Sequence, residues 1–152
     1  MSGSVMSATK PRQALRTFAS LRFRGDRLEP GRVTEILRVT PTLAYRKGEI
    51  YKQSGNREAR GRTNLWLLSS KGQVDSSDLI DHLDYLLSFL YPSQSDERVK
   101  QLNNLMRDGH VEADVGCFWY GARGAQQPAI PERMRIALER LPARLELDFN
   151  TD

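Results

Sequence analysis

Residues 110–120, HVEADVGCFWY, alternate: Val111, Ala113, Val115, Cys117 and Trp119 fall on one side, and His110, Glu112, Asp114, Gly116, Phe118 and Tyr120 on the other. A period of two is that of a β-strand with one buried face. Strands covered by helices on both faces are apolar all round, which this strand with its polar second face is not. It predicts a sheet with helices on one side only. Leu15 to Arg24 repeats the pattern, with Leu15, Thr17, Ala19, Leu21 and Phe23 opposite Arg16, Phe18, Ser20, Arg22 and Arg24. Arg144 to Asn150 does so again, Leu145, Leu147 and Phe149 inward, Glu146 and Asp148 outward.

Between these strands the period changes to that of helices. Pro30 suits a first helical position, and Leu28 can pack on Val33 ahead of Ile36 and Leu37, so a short helix is expected to end near Pro41. Asp75-Ser76-Ser77-Asp78 reads as a cap for a helix carrying Leu79, Ile80, Leu83, Leu86, Leu87 and Leu90. A second piece from Asp96 to Arg107 presents Val99, Leu102, Leu105 and Met106, with Gly109 closing it. Pro131 opens a last helix with Met134, Ala137, Leu138 and Leu141 inward, and Pro142 stops it. Leu43 to Tyr51 is expected to form a strand and 52–62 a loop or hairpin tip, whereas 63–69, TNLWLLS, reads as an interior strand. The fold class is α+β, a two-layer sandwich with a mostly antiparallel sheet and helices on one face, an order a ferredoxin-like arrangement would satisfy.

At 152 residues the chain suits one domain, expected over residues 14–150 behind a flexible tail of residues 1–13. The tail lacks the apolar stretch of a signal peptide, and a single cysteine cannot form an internal disulfide, so a cytoplasmic setting is expected. The longest apolar run, Leu79 to Leu90, is interrupted by Asp81, His82, Asp84 and Ser88 and is too short to span a bilayer.

Of 23 basic and 19 acidic residues, six and two fall between Arg46 and Arg62, which leaves 17 of each elsewhere. The excess positive charge therefore resides in one window: Arg46, Lys47, Lys52, Arg57, Arg60 and Arg62 against Glu49 and Glu58.

The pieces GDRLEPGRVTEILRVTPTLAYRKGE, NLWLLSS and LIDHLDYLLSFL, with the aromatic-ended strand to Tyr120, resemble the bacterial family known as domain of unknown function 4279. Gly25-Asp26 with Pro30, Arg46-Lys47-Gly48, Trp66 and His82-Leu83 carry the resemblance, which runs from about Thr17 to the C-terminus. It implies a bacterial, single-domain cytosolic protein and no particular activity.

Catalytic chemistry finds little support. A cysteine nucleophile needs a base within hydrogen-bond reach, and His110 lies seven residues along the strand from Cys117, roughly 23 Å at about 3.3 Å per residue, on the other face. His82 flanks the apolar stripe of its helix, but a small buried thiol in a strand is the simpler reading of Cys117. The two histidines lack the spacing of a zinc site, and no glycine-rich phosphate loop occurs, so no metal or cofactor is expected. Glu112, Asp114, Glu146 and Asp148 would share a sheet face, the basis for a hydrolase reading, yet Arg16, Arg22 and Arg24 can neutralise them. Arg24-Gly25-Asp26 spells a cell-adhesion tripeptide, but a strand-to-helix turn explains Gly25 and a cytosolic chain has no such partner, so that reading is discarded.

A binding surface remains: Arg16, Phe18, Arg22, Arg24, Phe118 and Tyr120 on the polar side of the sheet. Mixed charge with aromatics and arginine suits a protein partner or self-association, of the kind an immunity or accessory factor uses. A nucleic-acid binder using this face and the basic 46–62 loop is the alternative, weakened by the carboxylates that would repel phosphates. An enzyme ranks third.

Overall fold

The computed structural model describes residues 14–152; the N-terminal tail expected over residues 1–13 lies outside them. The elements in chain order are β1 (Ala14–Gly25), α1 (Pro30–Leu37), β2 (Leu43–Tyr45), β3 (Ile50–Lys52), β4 (Glu58–Arg60), β5 (Asn64–Ser69), α2 (Leu79–Leu90), α3 (Glu97–Gly109), β6 (Glu112–Gly121), α4 (Glu132–Arg140) and β7 (Arg144–Thr151). One five-stranded sheet has the order β2-β5-β1-β6-β7, and β3 and β4 form a separate two-stranded hairpin. The β2–β5, β5–β1 and β1–β6 pairings are antiparallel, and only β6–β7 is parallel, as the crossover through α4 requires.

Within this order β1, α1, β2, β5, α2 with α3, and β6 make the βαββαβ unit of a ferredoxin-like arrangement. α4 and β7 extend it by one strand, and the β3–β4 hairpin is inserted between β2 and β5. The expected α+β class, with a mostly antiparallel sheet, is the one observed.

Directly paired residues share a face, so the register fixes both surfaces of the sheet. Ala19, Leu21 and Phe23 pair with Cys117, Val115 and Ala113 on one side, and Leu21 and Phe23 with Leu68 and Trp66 on the other. All are buried in one cluster with Val33, Leu37, Leu83, Leu86, Leu90, Leu102, Met134 and Leu138 from the four helices. Trp66 meets the ring of Phe23 edge-on and donates its indole N–H to the Thr34 hydroxyl, so β5 carries α1 against the sheet. The opposite face bears Arg16, Phe18, Ser20, Arg22 and Arg24 with their partners Tyr120, Phe118, Gly116, Asp114 and Glu112.

Several boundaries differ from the sequence reading for identifiable reasons. α1 ends at Leu37, ahead of Pro41, because Arg38 turns left-handed and returns its N–H to the Thr34 carbonyl. The single strand expected over Leu43 to Tyr51 is two short ones: Gly48 adopts a positive φ, the Glu49 N–H bonds the Arg46 carbonyl, and β3 then pairs with β4 instead of the main sheet. Gly109 belongs to α3, and the left-handed cap is His110, whose N–H reaches the Met106 carbonyl. Leu147 faces inward as expected but is 49% exposed, because β7 is the edge strand. Among the described residues no helix is long and apolar enough to cross a membrane.

Candidate interaction face

The helix-free side of the sheet gathers all six residues singled out as an interaction surface, since alternate positions of β1 and β6 must project to the same side. At its centre Phe18 and Phe118, paired across the strands, stack with centroids 4.9 Å apart. Each ring carries a cation: the Arg16 guanidinium lies 5.1 Å from the Phe118 centroid and the Lys71 ammonium 5.6 Å from that of Phe18. Lys71 follows β5 and was not part of the sequence expectation.

Below the stack the charges cancel within the sheet. Arg22 donates through Nε and Nη2 to Asp114 Oδ2, at 3.2 and 2.9 Å, and Asp114 is buried. Arg24 pairs with exposed Glu112 at 3.3 Å. Cross-strand register brings about both contacts, Arg22 lying opposite Asp114 and Arg24 opposite Glu112. Tyr120 does not present a free hydroxyl: it donates to the Asp152 carboxylate, and that bond raises its pKa.

Two residues with almost no side chain, Ser20 and Gly116, face one another in register beside the stack. A Cβ added at Gly116 would sit 3.1 Å from Ser20 Oγ, a tight contact that the missing side chain avoids. The result is an open groove of about 420 Å³ with Phe18 and Phe118 as its wall and Glu146 and Asp148 of β7 along its far rim.

The four carboxylates of the hydrolase reading share this face but do not converge. Asp114 and Glu112 are held by arginines, Glu146 pairs with Arg144 at 3.4 Å, and Asp148 accepts from Asn150. Arg22 and Arg24 neutralise acids as expected, whereas Arg16 is spent on the Phe118 ring. Among the described residues no group of three or more His, Cys, Asp or Glu could hold a metal ion.

The basic window forms the β3–β4 hairpin at the β2 edge. Tyr45 points to the open face opposite Leu65, and Tyr51 of β3 stacks on it with centroids 4.3 Å apart, which ties the hairpin to this side of the molecule. Burial, then the Tyr51 hydroxyl, raises the pKa of Tyr45. Gly61 is required here, because a Cβ at that position would meet the Tyr45 ring at 2.6 Å. The two tyrosines share a hollow of about 700 Å³ with Arg60 and Arg62. Lys47 leans toward Asp26 at 3.6 Å; the Thr63 hydroxyl, then Lys47, hold the Asp26 carboxyl below its usual pKa. Arg60 donates to the Gly48 carbonyl, while the exposed side chains of Arg46, Lys52, Arg57 and Arg62 make no ion pair among the described residues. The Tyr45–Tyr51 stack has no local sequence signal, since five residues and a turn separate the two tyrosines.

Cys117 lies on the helix side, 1% exposed, and burial pushes its thiol up to about 12, so the thiolate nucleophile is suppressed. His110 is exposed at the end of α3 and takes no part. His82 is fully engaged elsewhere, in a cluster the sequence did not reveal. Its Nε2 lies 2.8 Å from the Ser76 carbonyl, which can only accept, so Nε2 carries a proton. In the neutral ring Nδ1 then accepts from the Ser70 hydroxyl at 2.7 Å, and Ser70 Oγ in turn accepts from the Ala19 N–H at 2.8 Å. A Ser–His pair invites a catalytic reading, but Ser70 is 0% and His82 2% exposed, and each polar atom already has its partner. The cluster is a clamp between β1, β5 and α2.

Residues 14–152 match the family described as Domain of unknown function (DUF4279), and the chain belongs to that family. No curated protein and no solved structure matches it.

Proposed function

We propose that this member of the family is a non-enzymatic binding protein that works through protein contacts on the open sheet face. The observation that carries this reading is the Phe18–Phe118 stack, beside which Arg22 and Arg24 are already paired with Asp114 and Glu112. Aromatic anchors surrounded by compensated polar groups suit a protein partner, because desolvating them strands no unpaired charge. A phosphate backbone would gain little from Arg22 and Arg24, whose charges are spent on Asp114 and Glu112. The lone buried thiol accords with a bacterial cytoplasmic setting, and a role as an immunity or accessory factor fits a domain that acts by contact alone.

A photo-crosslinking amino acid in place of Phe118, compared with one at Ile136, tests the reading; Ile136 is 50% exposed on α4, on the helical side. Protein adducts from position 118 and none above background from 136 are expected. Equal adducts from both positions, or none from either, would sink the proposal.

A second reading rests on the stacked tyrosines in their basic hollow, a combination that suits an unpaired base and its phosphate. Reversing Arg57, Arg60 and Arg62 to Glu is then expected to abolish a salt-sensitive gel shift with single-stranded RNA or DNA. No shift from the wild-type protein at low salt removes this alternative.

A further inference from the structure

The open face has a charge axis as well as an aromatic centre. The strand order puts β2, on whose Tyr45 the basic hairpin stacks through Tyr51, at one edge and β7 at the other, with β1 between them. Exposed Arg46, Lys52, Arg57 and Arg62 outnumber Glu49 and Glu58 on the hairpin side, and Glu146, Asp148 and Asp152 outnumber Arg144, the partner of Glu146, on the β7 side. The groove over Ser20 and Gly116 opens toward the acidic edge. Carboxylates on the rim of a groove, Glu146 and Asp148 here, are the chemistry that accepts a guanidinium group through charge-assisted hydrogen bonds. The ring faces of the stack are already taken, by one another and by Arg16 and Lys71, so an incoming cation meets the rim carboxylates.

Resting on the protein-contact reading above, we propose that the partner of the open face is a second copy of this chain. The two sheets stack about a two-fold axis parallel to β1, and a hairpin arginine of each copy, Arg57 or Arg62, enters the groove of the other. Symmetry and charge select this axis. Turning a copy over about a line along β1 exchanges the two edges, so each basic hairpin meets the partner's β7. An in-plane axis across the strands would set β7 on β7, carboxylate against carboxylate. A self-complementary patch of this kind is what a closed two-fold dimer needs. Five strands about 4.8 Å apart and about eight residues long at about 3.3 Å each span roughly 600 Å² per copy; because the hairpin already covers the β2 end at Tyr45 and Leu65, the contact buries less than about 1,200 Å² in all, the range of a weak, reversible dimer. Charge complementarity then contributes orientation and a marked salt dependence.

Sedimentation velocity with charge-reversed variants tests this arrangement. One variant carries Arg57→Glu and Arg62→Glu, leaving Arg60 on the Gly48 carbonyl; the other carries Glu146→Lys and Asp148→Lys. The wild type is expected to dimerise with a micromolar constant that weakens with salt, and each variant alone to have a dissociation constant raised at least about tenfold. Mixed in equal amounts the two variants should recover the dimer, because both contacts of the mixed pair are then of opposite charge. Circular dichroism melts confirm that each variant is folded. A wild type that stays monomeric at about a hundred times micromolar concentration, or a mixture that stays monomeric, overturns the second-copy proposal. Crosslinks from position 118 to a different protein would in that case still uphold the protein-contact reading, which separates the two failures. Variants that dimerise normally but lose oligonucleotide binding also overturn it and assign the arginines to the nucleic-acid reading.

Discussion

Two residues of the aromatic strand show how side-chain direction divides labour along β6. Cys117 points into the core, where its neutral thiol is favoured, so its native pKa is raised from 9.0 to about 12. Such a group contributes stability that is fully present below about pH 9 and is lost as the pH climbs toward 12, because the unfolded chain ionises first. Cys117→Ala should cost about 1–2 kcal/mol at neutral pH, yet lose less stability than the wild type between pH 8 and 10.5 in parallel urea titrations. Parallel losses in the two proteins would show that the thiol is not protected. Trp119 is also buried, but it packs at the end of the sheet, edge-on to Phe149 at 6.1 Å and across Gly121, outside the central helix-facing cluster. Any Cβ at position 121 would collide with the indole ring. Trp119→Ala and Gly121→Ala should therefore each destabilise, the first by about 3–5 kcal/mol, and their double variant by clearly less than the two effects combined. Additive losses measured by denaturant midpoints would place the ring elsewhere.

Among the elements, α2 is fastened at its start by polar groups and along its length by leucines. Asp78 caps it by accepting from the Ile80 N–H, and the Ser70–His82–Ser76 relay binds its first turns to the end of β5 and the middle of β1. Deleting one member leaves buried partners unpaired, which costs more than the bond itself contributes. Ser70→Ala should cost about 1–3 kcal/mol and His82→Ala about 3 kcal/mol or more, with a double variant well short of their sum. Equilibrium urea unfolding of the four proteins measures the coupling, and strict additivity would dissolve the clamp into independent contacts. Arg98 acts similarly at the other end of the layer, donating to the Leu37 and Phe89 carbonyls and so closing α1 and α2 together.

For the whole molecule, the βαββαβ unit is complete at Gly121, yet it does not hold a complete core. Ile130, Met134, Leu138 and Leu141 from the α4 segment are buried in the same cluster as β1, β5 and the other helices. Four aliphatic side chains at about 1.5–3 kcal/mol each amount to roughly 6–12 kcal/mol, as much as the net stability of a typical domain. A chain ending at Gly121 should accordingly lack a cooperative thermal transition and disperse poorly in its NMR spectrum. A cooperative melt from that fragment would mean that α4 and β7 are an accessory to a self-sufficient fold.

The sequence alone determined the two-layer class and the division of each long strand into a core side and an open side, because a period of two reads directly as pleat geometry. It also located the positive charge and the aromatic positions 18 and 118 that meet on the open face. It overestimated one strand around Gly48, where a single left-handed turn redirects the chain into a hairpin, and placed the α3 cap one residue early. Only the tertiary structure decided which residues meet: that Phe18 stacks on Phe118, that Arg22 rather than Arg16 neutralises Asp114, that Tyr51 returns to Tyr45, and that His82 finds Ser70. Strand order and register join positions up to about a hundred residues apart, and no local pattern encodes such pairings, because periodicity specifies the direction of a side chain and not the partner it finds there.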